Sequence, residues 1–285
     1  MAAVAAAVLA FQAVASPAQT AAQTGATAGQ TGNAEAVGED GASGSPQARS
    51  DAEPAAPQAS AAEELSRGAE AMDARDYAQA MTWFQRAAAQ GNADAENDIG
   101  LLYDRGQGVA QDYAQAMTWY QRAAAQGNAN AEANIGYLYD HGQGVAQDYA
   151  QAMAWYQRAA AQGNAAAENS IGNLYAGGRG VAQDYAQAMI WYQRAAAQGY
   201  AAAEVDIGSL YYAGHGVTQD YAQAMTWYQR AAAQGDAGAE YNIGALYALG
   251  QGVPQDLAQA RVWFQKAAAG GNAEASAWLA QHPGN

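Results

Sequence analysis

The residues in this chain that could do chemistry are carboxylates, basic groups and aromatic rings at a fixed spacing. Glu96, Glu132, Glu168, Glu204 and Glu240 stand 36 residues apart, and Arg86, Arg122, Arg158, Arg194, Arg230 and Lys266 keep the same step. Carboxylates can serve as general acids and bases. Here each glutamate falls in the first turn or so of a predicted helix and each basic residue near a helix end. That distribution suits the helix macrodipole, so a structural use is expected. The Gly-x-Gly loops, such as Gly106-Gln107-Gly108, lack the preceding strand and the Lys-Ser/Thr of a phosphate cradle, and read as turn chemistry. His141, His215 and His282 are far apart and fall at different points of the repeat, so no metal site is expected. Cysteine is absent, which excludes thiolate nucleophiles, disulfides and Cys-type zinc sites. No Ser-x-x-Lys or Gly-x-Ser-x-Gly nucleophile motif occurs. No catalytic residue, metal or cofactor is expected.

The elements that must position these residues follow from the period. Trp83, Trp119, Trp155, Trp191, Trp227 and Trp263 recur every 36 residues, as do Gly91, Gly127, Gly163, Gly199, Gly235 and Gly271. Full units begin at Ala93, Ala129, Ala165, Ala201 and Ala237, after a shorter first unit from about Ala61 to Gly91. Each unit reads as two helices. In the second, Tyr113, Ala116, Met117, Tyr120 and Ala124 share one face. Asp112 with Gln115 has the spacing of a capping box, and Gly127 ends the helix. The first helix runs from about Ala93 to Tyr103 and contains Gly100, which recurs as Gly136, Gly172, Gly208 and Gly244. A glycine costs about 1 kcal/mol inside a helix, so its return predicts a neighbouring helix too close for a β-carbon. One such hairpin cannot bury its own apolar face, whereas a stack can. The fold class is all-α, a superhelical solenoid of stacked helix pairs.

The consensus AExxIGxLYxxGxGVxQDYxQAxxWYxxAAxQG resembles the Sel1-like repeat family, relatives of the tetratricopeptide repeats with a longer inter-helix loop. The resemblance covers about Ala61 to Gly271. It implies adaptor and scaffold roles, commonly in bacterial envelope or host-directed proteins. The first unit departs from it, since Met72 to Asp76 lacks the Gly-x-Gly-Val element. The end departs too, with Ser276 where Glu recurs and Ala280 where Gly recurs, as in a capping helix over 273–282. Some secreted relatives bind or hydrolyse β-lactam-type compounds, which makes a secreted hydrolase the alternative function. Those relatives are cysteine-rich and this chain has no cysteine.

Residues 1–15 are almost entirely apolar and end in Ala13-Val14-Ala15, the pattern of a secretory signal peptide cleaved before Ser16. The run is too short for a stable membrane span. The expected location is the periplasm or the medium of a bacterium, with a cytoplasmic adaptor as the alternative if the segment is not a signal. Residues 16–60 are rich in Ala, Gln, Thr, Gly, Ser and Pro, with Val37 as the one larger aliphatic residue, and read as a disordered linker. With 12 Lys+Arg against 27 Asp+Glu, the net charge of −15 argues against nucleic acid and anionic membranes. The aromatic repeats carry no interleaved basic track for base stacking and are expected to pack the core.

Comparison between copies shows where binding is expected. Helix two and the loop are nearly identical in every unit, whereas helix one differs at positions that fall on one helical face. These are Asp94, Asn97, Leu101, Asp104 and Arg105 in the second unit, and Tyr137 and His141 in the third. Asn169 and Asn173 follow in the fourth, Val205, Ser209 and Tyr212 in the fifth, and Tyr241 and Leu249 in the sixth. In related solenoids the first helices line the concave groove, so this face is the expected site for a protein or peptide partner. Tyr137, Tyr212 and Tyr241 are the candidate anchors. The face grades from polar at Asp94 and Arg105 to apolar at Val205 and Leu249.

Overall fold

The computed structural model describes residues 59–283, so the signal-peptide reading and nearly all of the linker reading lie outside the described residues. Thirteen helices follow one another without a strand among the described residues. The first pair is α1 (Ala61–Asp73) and α2 (Tyr77–Ala89), the second α3 (Ala93–Arg105) and α4 (Tyr113–Ala125), the third α5 (Ala129–His141) and α6 (Tyr149–Ala161). Then come α7 (Ala165–Gly177) with α8 (Tyr185–Ala197), α9 (Ala201–Ala213) with α10 (Tyr221–Ala233), and α11 (Ala237–Leu249) with α12 (Leu257–Ala269). A single helix, α13 (Ala273–Gln281), closes the series. None of them is long and apolar enough to cross a membrane.

Local chemistry sets the helix ends. Asn92, Asn128 and Asn164 cap the first helices by accepting a bond from the backbone N–H three residues on. Asp112 accepts from the N–H groups of both Ala114 and Gln115 at 3.0 Å. The Asp-x-x-Gln repeat is thus an aspartate N-cap in which the aspartate alone serves two donors. The reciprocal capping box forms instead at Ser60 and Glu63, at the start of α1. At the other end of α3, Gly106 takes a left-handed φ of 64°, which frees the chain to turn into the loop.

The neighbouring helix crowds the recurring helix-one glycine through a side chain. A β-carbon on Gly100 would lie 2.5 Å from the Tyr120 ring. Gly136, Gly172 and Gly208 meet Tyr156, Tyr192 and Tyr228 in the same way, and Gly68 and Gly244 meet Phe84 and Phe264. These rings are almost wholly buried. Each hairpin is therefore keyed by a large aromatic seated on a glycine.

Packing joins the hairpins at their junctions. One cluster combines Ala116, Met117 and Tyr120 of α4 with Ala131, Ile135 and Leu138 of α5, and Trp155 of α6 leans against it. Later clusters repeat the arrangement, so each unit completes its neighbour's core, as stacked repeats must. The face of α1 that corresponds to Ala95, Ile99 and Leu102 carries Glu63, Arg67 and Glu70 instead. At the far end, Trp278 of α13 is buried against Phe264, with ring centroids 4.4 Å apart.

Candidate binding face

The repeated glutamates are structural, through contacts that the macrodipole argument missed. Glu96 Oε1 accepts from Arg122 Nε at 3.0 Å and Nη2 at 2.9 Å, while Oε2 accepts from Gln126 Nε2 at 2.6 Å. The same triad recurs at Glu132, Arg158 and Gln162, and at Glu168, Arg194 and Gln198. Each arginine also lies over the tryptophan three residues before it, 4.3 Å from the ring for Trp119. The carboxylate is buried and both oxygens are engaged across the hairpin, so neither oxygen is free to take a proton from a substrate. The glutamine was legible in the sequence as Gln90, Gln126, Gln162, Gln198 and Gln234, all on the 36-residue step. The last unit has Gly270 there, and burial without that amide raises the Glu240 carboxyl, with Lys266 opposing.

The loops fold back on their own first helix and touch the preceding unit. Gln111 Nε2 donates to the Asp104 carbonyl at 2.7 Å, and the Asp112 N–H donates to the Tyr103 carbonyl at 3.0 Å. Gly108 lies against Tyr77 of the preceding unit, where a β-carbon would approach to 2.8 Å. His141 stacks on Tyr137 at 4.0 Å and His215 on Tyr185 at 4.5 Å. Among the described residues, no three His, Asp or Glu side chains are grouped so as to hold a metal.

The variable residues of helix one separate into three environments. Asp94, Arg105 and His141 are exposed. Leu101, Asp104, Tyr137, Asn173, Val205, Ser209, Tyr212 and Leu249 are half-buried. Asn97, Asn169 and Tyr241 are buried. Tyr241 is thus no exposed anchor: its ring packs 5.3 Å from Phe264, in a cluster completed by Trp278 of α13.

Several of these side chains hold the stack itself. Buried tyrosine hydroxyls need partners, and helix one supplies them. Tyr192 donates to Asn173 Oδ1 at 2.7 Å, Tyr120 to Asp104 at 3.4 Å, and the Tyr228 hydroxyl lies 3.3 Å from Ser209. Asn128, the cap of α5, bonds Asp94 of α3 at 2.7 Å, and other bonds cross between units: Asn134 to Asn97 at 3.0 Å and Tyr212 to Gln251 at 3.0 Å. Part of the variable face is therefore engaged within the stack.

Sequence reasoning also passed over one position on this face, which reads Asp98, Asn134, Ser170, Asp206 and Asn242. Its signal was a polar residue in every unit. Burial lifts Asp98 to about 7 and Asp206 to about 7, each opposed by an asparagine hydrogen bond, from Asn97 and Asn169 respectively. Burial also raises Asp140, where Arg179 opposes it as a partner at 3.2 Å.

These features define a class, the all-helical solenoids in which each repeat is one glycine-keyed hairpin. The Sel1 repeat profile matches residues 60–92, 93–128, 129–164, 165–200, 201–236 and 237–272. The chain belongs to the Sel1 repeat family. Among solved structures it is similar to a Sel1 repeat protein from Oxalobacter formigenes, at 40% identity and TM-score 0.67, covering 74% of this chain and 86% of that one. It is also similar to c5321, a protective antigen of uropathogenic Escherichia coli displaying an SLR fold, at 33% identity and TM-score 0.60. That match covers 78% of this chain and 48% of the other, so this chain spans about half of that protein's length. The immunity protein Pa5087 from Pseudomonas aeruginosa shares the fold at 20% identity and TM-score 0.56, covering 77% of this chain and 84% of that one. A search of the curated proteins finds no match.

Proposed function

We propose that this chain is a non-enzymatic, exported scaffold that holds a protein or peptide on the concave helix-one face. One observation carries the reading: units that are nearly identical in helix two differ on this face, and all its candidate residues except Asn97, Asn169 and Tyr241 keep contact with solvent. A stack needs like residues at like positions, so a row of unlike, solvent-touching side chains suits one partner read unit by unit. Tyr137 and Tyr212 are the anchors, aromatic and only half-buried. The engaged glutamate carboxylates weigh against hydrolysis. Similarity to a protective antigen of a bacterial pathogen is in keeping with export, as is the apolar segment before Ser16.

Capture from bacterial envelope extract tests the scaffold. Tyr137→Ala with Tyr212→Ala is expected to reduce recovery of the partner at least tenfold while the chain stays folded. Recovery equal to the parent's would reject the face. The N-terminal sequence of the mature protein tests export, with Ser16 expected and an intact cytoplasmic Met1 as the opposing result.

A further inference from the structure

Carboxylates removed from water in this stack generally come with a cation. Glu96, Glu132, Glu168 and Glu204 each take an arginine of their own hairpin, and Asp140 takes Arg179. Glu64 is held by the Gln90 amide at 2.6 Å instead, and Asp98 in α3 and Asp206 in α9 also lack an ion pair among the described residues. The two aspartates occupy the same place in their units, three repeats apart, and both remain in contact with solvent although protein surrounds them on most sides. A groove floor has that combination of properties.

Asparagine amides, not cations, lie beside these two acids. Asn97 Nδ2 donates to Asp98 Oδ1 at 3.3 Å, and Asn169 of α7 comes close enough across the junction of two units to oppose the rise at Asp206. Asn169 is more than nine-tenths buried, and its Oδ1 has no hydrogen-bond partner. Nδ2 is the group of Asn169 that can donate to Asp206, and the amide oxygen is left with nothing to accept. The nearest charges do not neutralise the pair. Asp236 faces Asp206 with the same sign, and Asp98 has Asp94 of the same sign and Arg105 of the opposite sign. Burial raises the hydroxyl of Tyr200, half-buried at the start of α9, and the nearby Asp206 charge adds to that rise.

Converging acceptors with a net negative charge call for a ligand rich in N–H donors and positively charged, which describes a guanidinium or an ammonium. We propose that Asp206 with Asn169 forms a seat for a basic side chain of an extended peptide; the Asn97 oxygen beside Asp98 already accepts from Asn134, so the seat is particular to the fifth unit. The proposal rests on the helix-one face being the binding face and names the chemistry of its partner: a segment bearing arginine or lysine. Occupation supplies a cation such as the fold provides for Glu96, Glu132, Glu168, Glu204 and Asp140. It also gives the unpartnered Asn169 oxygen a donor, after a small adjustment of the amide.

The test uses the full chain and two defined probes at physiological salt. One is a Gly/Ser peptide of fifteen residues with two arginines, and the other is its citrulline counterpart, equal in shape but uncharged. Binding is followed by the NMR signals of the Asn169 side chain and of the Asp206 carboxyl. The expected result is at least a tenfold preference for arginine, movement of both signals, and a tenfold or greater loss in Asp206→Asn. Glu70→Gln, which removes the same charge from an exposed site on α1, should change affinity less than twofold. Equal binding of the two probes, or equal effects of Asp206→Asn and Glu70→Gln, would overturn the proposal. Failure of the scaffold reading is seen separately, in capture that ignores Tyr137 and Tyr212. Capture that depends on those tyrosines, with no arginine preference, would leave the scaffold standing and remove the basic seat.

Discussion

Replacing Gly172 by alanine puts a methyl group into space that Tyr192 already fills. The new carbon would lie 2.4 Å from Tyr192 Cε1 and 2.5 Å from Cδ1, about 1 Å inside ordinary contact. The ring cannot easily retreat, because it is fully buried and its hydroxyl donates to Asn173 at 2.7 Å. Overpacking of this kind costs about 1–3 kcal/mol. Against it stands the helical preference of alanine over glycine, about 1 kcal/mol. The net expectation is a loss of about 1–2 kcal/mol, read from urea unfolding and from local hydrogen exchange, since a repeat stack need not unfold in one step. Leucine at the same place should cost more. The sharper test repeats the change in a Tyr192→Ala background. With the ring removed, only the helical preference remains, and Gly172→Ala should then stabilise by up to about 1 kcal/mol. A stabilising Gly172→Ala in the parent, or the same sign in both backgrounds, would refute the keyed-hairpin account.

Three further outcomes are expected. Asp206→Asn should stabilise the chain at pH 8 by about 1–2 kcal/mol and flatten its pH dependence. The folded carboxyl sits at about 7, above its ordinary value of 3.8, so the native state holds the proton longer and the acid's contribution to stability falls as pH rises between those values; melting at pH 4 and pH 8 checks it. Arg158→Ala should cost about 2 kcal/mol, because it strands the buried Glu132 carboxylate, and a double-mutant cycle with Glu132→Gln should recover part of that loss. Tyr241→Ala should lower the melting temperature, by about 3 kcal/mol of stability, because it vacates packed volume beneath α13, whereas Tyr137→Ala should alter partner capture with a smaller effect on melting.

The repeat, the helix pairs and the stack were legible in the sequence because they follow from local rules. A 36-residue period, caps at Asp112 and Asn92, and alternating apolar faces depend on residues close in the chain. Even the cost of Gly100 could be read as a sign of crowding, although its cause could not. The crowding body is a tyrosine ring carried 20 residues later, and no local rule points to a ring rather than a backbone.

The binding face was half legible for the same reason. Differences between copies located it, but a difference can serve a partner or a junction, and sequence does not separate the two. Asn173 and Ser209 partner tyrosine hydroxyls 19 residues on, Asn97 meets Asn134 from 37 residues away, and α13 covers Tyr241. Likewise, Glu96 looked like a macrodipole residue until Arg122 and Gln126 folded back onto it. Sequence alone determined the period and therefore the architecture, because backbone hydrogen bonding and apolar burial repeat with the residues that cause them. Only the tertiary structure decided which polar side chains are consumed by neighbouring units and which, like Asp206, are left without a counter-charge, because burial and pairing depend on where distant helices come to rest.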